Sequence, residues 1–313
     1  MIICNQLSEL VLNTKKSVIA LGTFDGIHVG HKKIIRQAVE IAKEINALSV
    51  VFTFQQHPLS LIDPSRCPPQ IDSSQRQAAL IEELGVDILL RVPVTTEFLE
   101  MSPDDFVRLL CQDLNPACLV VGPNYSYGYK GGGTPKLLKR AGLANGFQVI
   151  VHSPVYVGDT LVSSTTIRQY IQSGKMELAA QLLGRYHLIA GPVVDGDKRG
   201  RTLGIPTANL NFEKGLVIPD DGVYAVWAEV NGKKYPAVAN VGNNPTFQGV
   251  SHRIEVHIIH FSEVLYGQLL AIEFVTKLRG EIKFREVDEL KTQMFHDVET
   301  AKQYLNEDKV YSS

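Results

Sequence analysis

The stretch "ALGTFDGIHVGHKKII", Ala20–Ile35, decides how this chain is read. An apolar run ends in glycine, two histidines follow in a glycine-rich turn, and a basic amphipathic segment comes next. "SVIALG" (17–22) has the length and content of a buried strand. "HKKIIRQAVEIAKEIN" sets Ile34, Ile35, Ala38, Ile41, Ala42 and Ile45 on one helical face, with Lys32, Lys33, Arg36 and Lys43 mostly outside it. In an open α/β sheet the ligand lies beyond the carboxyl ends of strands, where the free N–H groups and dipole of a helix N-terminus attract phosphate. Gly22, Gly26 and Gly30 permit close backbone approach. His28 and His31, which such a turn is expected to leave unburied, can donate to charge developing on a phosphoryl group. Two ordinary loop residues, or an isolated HxxH metal pair, are the plainer alternatives, and no third ligand stands nearby in the sequence. The full combination of strand, turn and helix favours nucleotide binding.

The rest of the first half repeats this grammar. "LSVVFTF" (48–54), "VDILLRV" (86–92), "CLVVG" (118–122) and "FQVIV" (147–151) read as strands. Between them lie helical patterns, among them "SPDDFVRLLCQDL" with Ser102 as N-cap and Pro103 at the first helical position. Such alternation predicts a parallel sheet covered by helices, a Rossmann-like α/β domain. From about Tyr186 the runs "HLIAGPVV", "GVYAVWAEV", "KYPAVANV", "RIEVHIIHF" and "LLAIEFVTKL" are short and strand-like, and Asn231-Gly232 joins two of them as a tight hairpin. A closing helix carries Val287, Leu290, Met294, Val298, Ala301 and Leu305 as one apolar stripe. The second half is therefore expected to be a small antiparallel β-barrel with a terminal helix. The join falls near Gly184, giving domains 1–184 and 185–313.

Bulk properties agree with two globular domains. The chain has 313 residues, 44% hydrophobic and 20% charged, and its 31 Lys and Arg nearly balance 33 Asp and Glu for a formal charge of −2. No global basic field exists to recruit nucleic acid, so anion binding must be local. The four cysteines form no CxxC pair, which fits a reducing cytoplasm. No signal peptide or membrane-length apolar run is visible, so neither membrane nor nucleic acid is expected as a partner. Oligomeric state is left open.

Three further clusters carry chemistry. "VSSTTIRQYIQSG" (162–174) offers Ser163, Ser164 and Thr165 at a helix start with Arg168 one turn in, which suits the far end of a triphosphate as well as a plain N-cap. "GDKRGRTLGIPTANLNF" (196–212) combines Gly200 and Gly204 with Lys198, Arg199 and Arg201, the last three also readable as a basic surface loop. If "PTAN" is extended, Thr207 and Asn209 project the same way, and their neutral oxygens suit an Mg²⁺ already bound to phosphate. Strand alternation in "RIEVHIIHF" separates Ile254, Val256 and Ile258 from Glu255 and His257, so Glu255 reaches a groove if the aliphatic face is core. Position alone would make it a solvated strand residue.

With "GTFDGIHVGH", "TFQQHP", "VGPNYSYG", "VSSTTIR", "GRTLGIPTANLNF", "ANVGNNPTF", "IEVHII" and "LRGEIKF" in this order, the chain resembles, along essentially its whole length, the bifunctional prokaryotic riboflavin kinase/FMN adenylyltransferase (FAD synthetase) family. The resemblance implies phosphorylation of riboflavin to FMN in the barrel half, with Mg²⁺ and ATP as co-substrate. It implies transfer of AMP from ATP onto FMN in the α/β half, giving FAD and pyrophosphate. By it, His28 and His31 would stabilise the α-phosphate transition state, with Gly22, Phe24, Asp25 and Gly30 around the nucleotide and Ser163, Ser164, Thr165 and Arg168 on the triphosphate. His57, Pro58 and Asn124 would line the FMN pocket. Glu255 would be the kinase base, Thr207 and Asn209 the Mg²⁺ and phosphate ligands, Lys198 and Gly200 part of its ATP site, and Arg279 and Phe284 would face the flavin. Two departures stand out: Gln56 replaces the first proline of a Pro-His-Pro, and Tyr125 and Tyr127 bring hydroxyls to an aromatic motif that Gly131–Gly133 would follow as a mobile lip. A single-activity kinase with a decayed adenylyltransferase site, or a non-catalytic flavin-binding regulator, are the alternatives; the regulator should have lost Glu255, Asn209 or the histidines.

Overall fold

A computed structural model describes residues 1–10, 15–196, 204–246 and 249–307. Its contacts divide the chain into two units: residues 1–68 with 73–162, and residues 69–72 with 163–313.

The first unit is built on a six-stranded sheet. Its strands are β1 (Ile2–Cys4), β2 (Ser17–Leu21), β3 (Leu48–Phe54), β4 (Ile88–Val92), β5 (Pro116–Val121) and β6 (Gln148–Val151), ordered β1-β4-β3-β2-β5-β6. All neighbours pair parallel. Because side chains alternate along a strand, β2 sends Ile19 and Leu21 to one face and Val18 and Ala20 to the other. Helix α1 (Val29–Glu44) covers the second face with Ile34, Ile35, Ala38, Val39 and Ala42. Phe106, Val107, Leu110 and Leu114 of Pro103–Leu114 cover the first. Both sides of the sheet are thus dry, which explains why its strands are continuous apolar runs. Ile45, expected on the buried stripe of α1, is half exposed at 50%, and Val39 takes that place because the helix stops at Glu44.

The second unit is a closed barrel of β9 (His187–Val194), β10 (Ala208–Leu210), β11 (Gly222–Val230), β12 (Lys233–Thr246), β13 (Gly249–Ile258) and β14 (Leu269–Arg279), in the order β10-β13-β12-β11-β14-β9. Its neighbours pair antiparallel. Between the two sheets the chain forms the short hairpin β7 (Tyr156–Val157) and β8 (Thr160–Leu161), which belongs to the first unit. At the β11–β12 turn Asn231 (φ 49°) and Gly232 (φ 75°) are both left-handed, as a two-residue hairpin loop requires. The helices Ser164–Gln172 and Met176–Leu183 are grouped by their contacts with the barrel. Ala180 shares an apolar cluster with Tyr186, Ala225, Val275, Ala301 and Leu305. Ala301 and Leu305 belong to the terminal helix Val287–Glu307, whose expected stripe is buried only toward its end; Val287 is 63% exposed because the first turn reaches past the barrel's apolar cluster.

Candidate functional site

In the first unit the carboxyl ends of β3, β2 and β5, three adjacent parallel strands, lead respectively into Gln56-His57-Pro58, Gly22–His28 and Gly122–Gly128. The order reverses between β2 and β5, the position at which an open α/β sheet leaves a crevice for a ligand. The turn after β2 is tight. Phe24 (φ 48°), Gly26 (φ 86°) and Ile27 (φ 30°) are left-handed, and Phe24 and Ile27 are driven inward to full burial. Asp25 and Gly22 remain half-buried on its outer side.

His28 then caps α1, its Nδ1 accepting the backbone N–H of His31 at 3.1 Å. The two imidazoles stack with centroids 3.5 Å apart, and the Phe24 ring meets His31 edge-on at 5.3 Å. The expectation that neither histidine is buried is corrected for His28, which is 6% exposed because the stacked rings cover one another. Burial, reinforced by His28, pushes the His31 pKa well below its ordinary value. His31 is therefore a neutral ring at physiological pH, and its Nδ1 has no hydrogen-bond partner among the described residues. Such a ring can turn a donor toward an incoming anion without a bond to break first.

The neighbouring loops frame this crevice. His57 Nδ1 accepts from the Leu59 backbone at 3.1 Å, which starts a short helix after the half-buried Pro58, while Gln56 is exposed. Asn124 is exposed beside Tyr125 and Tyr127, whose rings stack with centroids 5.9 Å apart. Burial, with Tyr127 adding to it, raises the Tyr125 pKa, so its hydroxyl stays protonated. Tyr127 and Gly133 exchange backbone hydrogen bonds of 3.2 and 2.8 Å, which join the end of the glycine run to the aromatic motif.

Ser163, Ser164, Thr165 and Arg168 fall in the second unit. Ser163 is the N-cap of its helix, accepting from Thr166 N at 3.1 Å. Ser164 is half-buried and Thr165 exposed. Arg168 is buried at 9% exposure and donates from Nε to the Pro69 carbonyl at 2.7 Å.

The barrel opens on a cavity of about 410 Å³ lined by Thr207, Asn209, Glu255, Arg279 and Phe284, with Val223, Val238, Leu290 and Met294 among its apolar walls. Alternation along β13 explains half of it. Ile254, Val256 and Ile258 are at most 5% exposed inside the barrel, which turns Glu255 and His257 to the cavity side. Asn209 lies directly across from Glu255 in the β10–β13 register. His257 Nδ1 is 2.8 Å from the Pro206 carbonyl and anchors the chain just before Thr207. Gly196 completes the seat of Asn209: a Cβ there would stand 1.9 Å from Asn209 Nδ2. Arg279 is clamped to Asp297 of the terminal helix, Nη2 to Oδ2 at 2.8 Å and Nε to Oδ1 at 3.0 Å, and its guanidinium lies 5.9 Å from the Phe284 ring centre. Lys198 and Gly200 lie outside the described residues, as do Arg199 and Arg201.

Sequence reasoning missed Arg253, whose Nε donates to Asn209 Oδ1 at 2.8 Å and whose Nη2 is 2.7 Å from Glu255 Oε1. The signal was available: Arg253 stands two residues before Glu255, hence on the same strand face. Asp297 was missed for a plainer reason, since an acid beside an apolar helical stripe looks like a solvated residue until its partner is known.

Comparison with known proteins bears on both units. The riboflavin kinase family model matches residues 183–305. The FAD synthetase family model matches residues 11–166. The bifunctional riboflavin kinase/FMN adenylyltransferase of Bacillus subtilis (strain 168) is 37% identical over 300 residues, 93% of each chain. That of Listeria monocytogenes is 38% identical over 297 residues, 92% of each chain. A crystal structure from Streptococcus pneumoniae, described as a macrolide-efflux protein, superposes with a TM-score of 0.89 at 32% identity, covering 96% of this chain and 98% of the other. Among the described residues no helix is long and apolar enough to cross a membrane.

Proposed function

Because the chain belongs to the bifunctional riboflavin kinase/FMN adenylyltransferase family, we propose that residues 1–184 and 185–313 divide the family's two reactions between the residues described above. The enzyme phosphorylates riboflavin to FMN with Mg-ATP and adenylylates FMN to FAD. The observation that carries the assignment of residues is the meeting of Glu255, Asn209 and Thr207 in one cavity that also presents Val223, Val238, Phe284, Leu290 and Met294 as apolar surface for an isoalloxazine ring.

For phosphoryl transfer, Glu255 takes the proton of the terminal ribityl hydroxyl as that oxygen attacks the γ-phosphate and ADP departs. Arg279 and Phe284 flank the flavin. Thr207 and Asn209 would hold Mg²⁺, with Lys198 and Gly200 on the nucleotide. The donor set fits such an ion: Asn209 Oδ1 already faces a cation, the Arg253 guanidinium. No group of three or more His, Cys, Asp or Glu side chains among the described residues could hold a metal. The protein therefore offers neutral oxygens to an ion that arrives on the polyphosphate. When bound, the ion would neutralise charge on the phosphate oxygens.

For adenylyl transfer, His28 and His31 donate to the α-phosphate as the FMN phosphate attacks it and pyrophosphate departs. Gly22, Phe24, Asp25 and Gly30 surround the nucleotide, and Ser163, Ser164, Thr165 and Arg168 hold its triphosphate, an assignment supported by the order of the family's motifs. His57, Pro58 and Asn124 contact FMN. Adenylyl transfer belongs to residues 1–184 and phosphoryl transfer to 185–313, with small-molecule substrates in both.

The test is a time course of riboflavin with Mg-ATP, flavins separated by chromatography. FMN should appear first and FAD after it. FMN alone, even when FMN is supplied as substrate, would contradict the adenylyltransferase assignment.

A further inference from the structure

Arg253, Asn209 and Glu255 form a cluster that the reaction as described does not use in full. Arg253 and Glu255 share a face of β13, and Asn209 stands across from Glu255 on β10. Opposite Arg253 on β12 is Gly242. One guanidinium thereby bonds both Asn209 Oδ1 (2.8 Å) and Glu255 Oε1 (2.7 Å). The Arg253 and Glu255 side chains are each 27% exposed, so the pair is reached from the cavity rather than sealed under it.

We infer that Arg253 is a resident stand-in cation of the kinase site, which Mg²⁺-nucleotide must displace before Glu255 can act as base; this rests on the assignment of Asn209 and Glu255 made above. The argument is one of shared lone pairs. Mg²⁺ requires an oxygen at about 2.1 Å, and the Asn209 carbonyl cannot offer it in the direction already taken by Arg253. Arginine does not deprotonate in proteins, so the guanidinium has to move away rather than lose its charge. The same guanidinium occupies Glu255 Oε1, so its movement frees that oxygen to accept the ribityl proton. Once freed, the planar fork is suited to the incoming phosphate oxygens. Arg253 thus couples nucleotide arrival to release of Asn209 Oδ1 and Glu255 Oε1.

Two measurements on the full-length enzyme test this. If the held arrangement dominates the free enzyme by about ten to one, Arg253→Gln should lower the Mg²⁺ concentration for half-maximal riboflavin phosphorylation by roughly tenfold. The same variant should lower kcat, because the phosphates lose their guanidinium. An unchanged or raised Mg²⁺ requirement overturns the inference. The second readout needs no turnover. The Arg253 Nε–H resonance, assigned by its loss in Arg253→Lys, should be slowly exchanging in the free enzyme and shift on adding Mg-ADP but not ADP with EDTA. A rapidly exchanging signal in the free enzyme, or one indifferent to Mg-ADP, overturns it. Asn209→Ala separates the two levels: full Mg²⁺-dependent phosphorylation in that variant would refute the site assignment itself, whatever Arg253 does.

Discussion

Removing the Asp297 carboxylate should loosen the kinase half by an amount the geometry sets. Asp297 accepts from Arg279 Nε (3.0 and 3.1 Å) and Nη2 (2.8 Å) and from Gln293 Nε2 (2.9 Å). The side chains of Arg279 and Asp297 are 18% and 6% exposed. Truncating one partner of a buried pair costs about 3–5 kcal/mol, chiefly because the other charge is stranded. Arg279 is partly wetted and keeps its bond to the Gly280 carbonyl, so the lower end, about 3 kcal/mol, applies to Asp297→Ala. At roughly 2–4 °C per kcal/mol for a unit of this size, the midpoint should fall by about 6–12 °C. The single tryptophan, Trp227, lies on β11 of the barrel, so its fluorescence reports this unit's unfolding. The helix residues Leu290 and Met294 and the segment after Arg279 line the cavity, so the riboflavin KM should rise while FMN adenylylation is spared. Replacing both partners, Arg279→Met with Asp297→Leu, should return most of the stability without the riboflavin affinity. A loss under about 0.5 kcal/mol in Asp297→Ala, the range of ordinary surface substitutions, would refute the reasoning.

Three further outcomes are expected. Burial, with Arg185 adding to it and the Val217 carbonyl opposing, holds the His187 pKa down at about 3 against an ordinary 6.5. Below pH 6.5 the unfolded chain binds a proton that the native barrel refuses, so stability should fall by about 1.4 kcal/mol per pH unit, roughly 2 kcal/mol by pH 5. Trp227-monitored denaturation at both pH values should show this, with a flatter dependence in His187→Gln; equal slopes would exclude His187 as the cause. Gly196→Ala should evict the Asn209 amide and slow riboflavin phosphorylation by roughly 10²-fold with adenylylation intact, and retained kinase activity would contradict the seat described for Asn209. A fragment 163–313 should melt well above a fragment 185–313, because Met176, Ala179, Ala180, Leu182 and Leu183 are all buried; identical melting would show that this helix adds nothing to the barrel.

Much of this was legible before any coordinates. Period-two and period-3.6 patterns located the parallel sheet and the long barrel strands, since burial on both faces or on one leaves a direct trace in sequence. Asn231-Gly232 named its own turn. What escaped were elements too short to show a period, β1, β7, β8 and β10, which exist because a neighbour supplies their hydrogen bonds. Alternation put Glu255, Thr207 and Asn209 on determinate faces, but it was the family resemblance that made Glu255 a candidate base rather than a solvated strand residue. Arg253 was overlooked although it shares a strand face with Glu255, and Asp297 was not legible, because the role of a charged helix residue depends on a partner distant in sequence. His28 was expected outside because turns are usually wet; a stacked ring partner overrode that.

The central claim is that two chemistries occupy two separate sets of residues, and paired substitutions measure it directly. Glu255→Gln should slow riboflavin phosphorylation by roughly 10²–10⁴-fold while FMN adenylylation persists. His28→Ala with His31→Ala removes donors whose loss can cost about 3 kcal/mol each in the transition state, so FAD should cease to form while FMN accumulates. Both flavin products would be followed in each variant, with Trp227 fluorescence confirming a folded barrel. The account predicts that the losses cross. Loss of both activities in folded Glu255→Gln, or undiminished FAD synthesis without the two histidines, would contradict it.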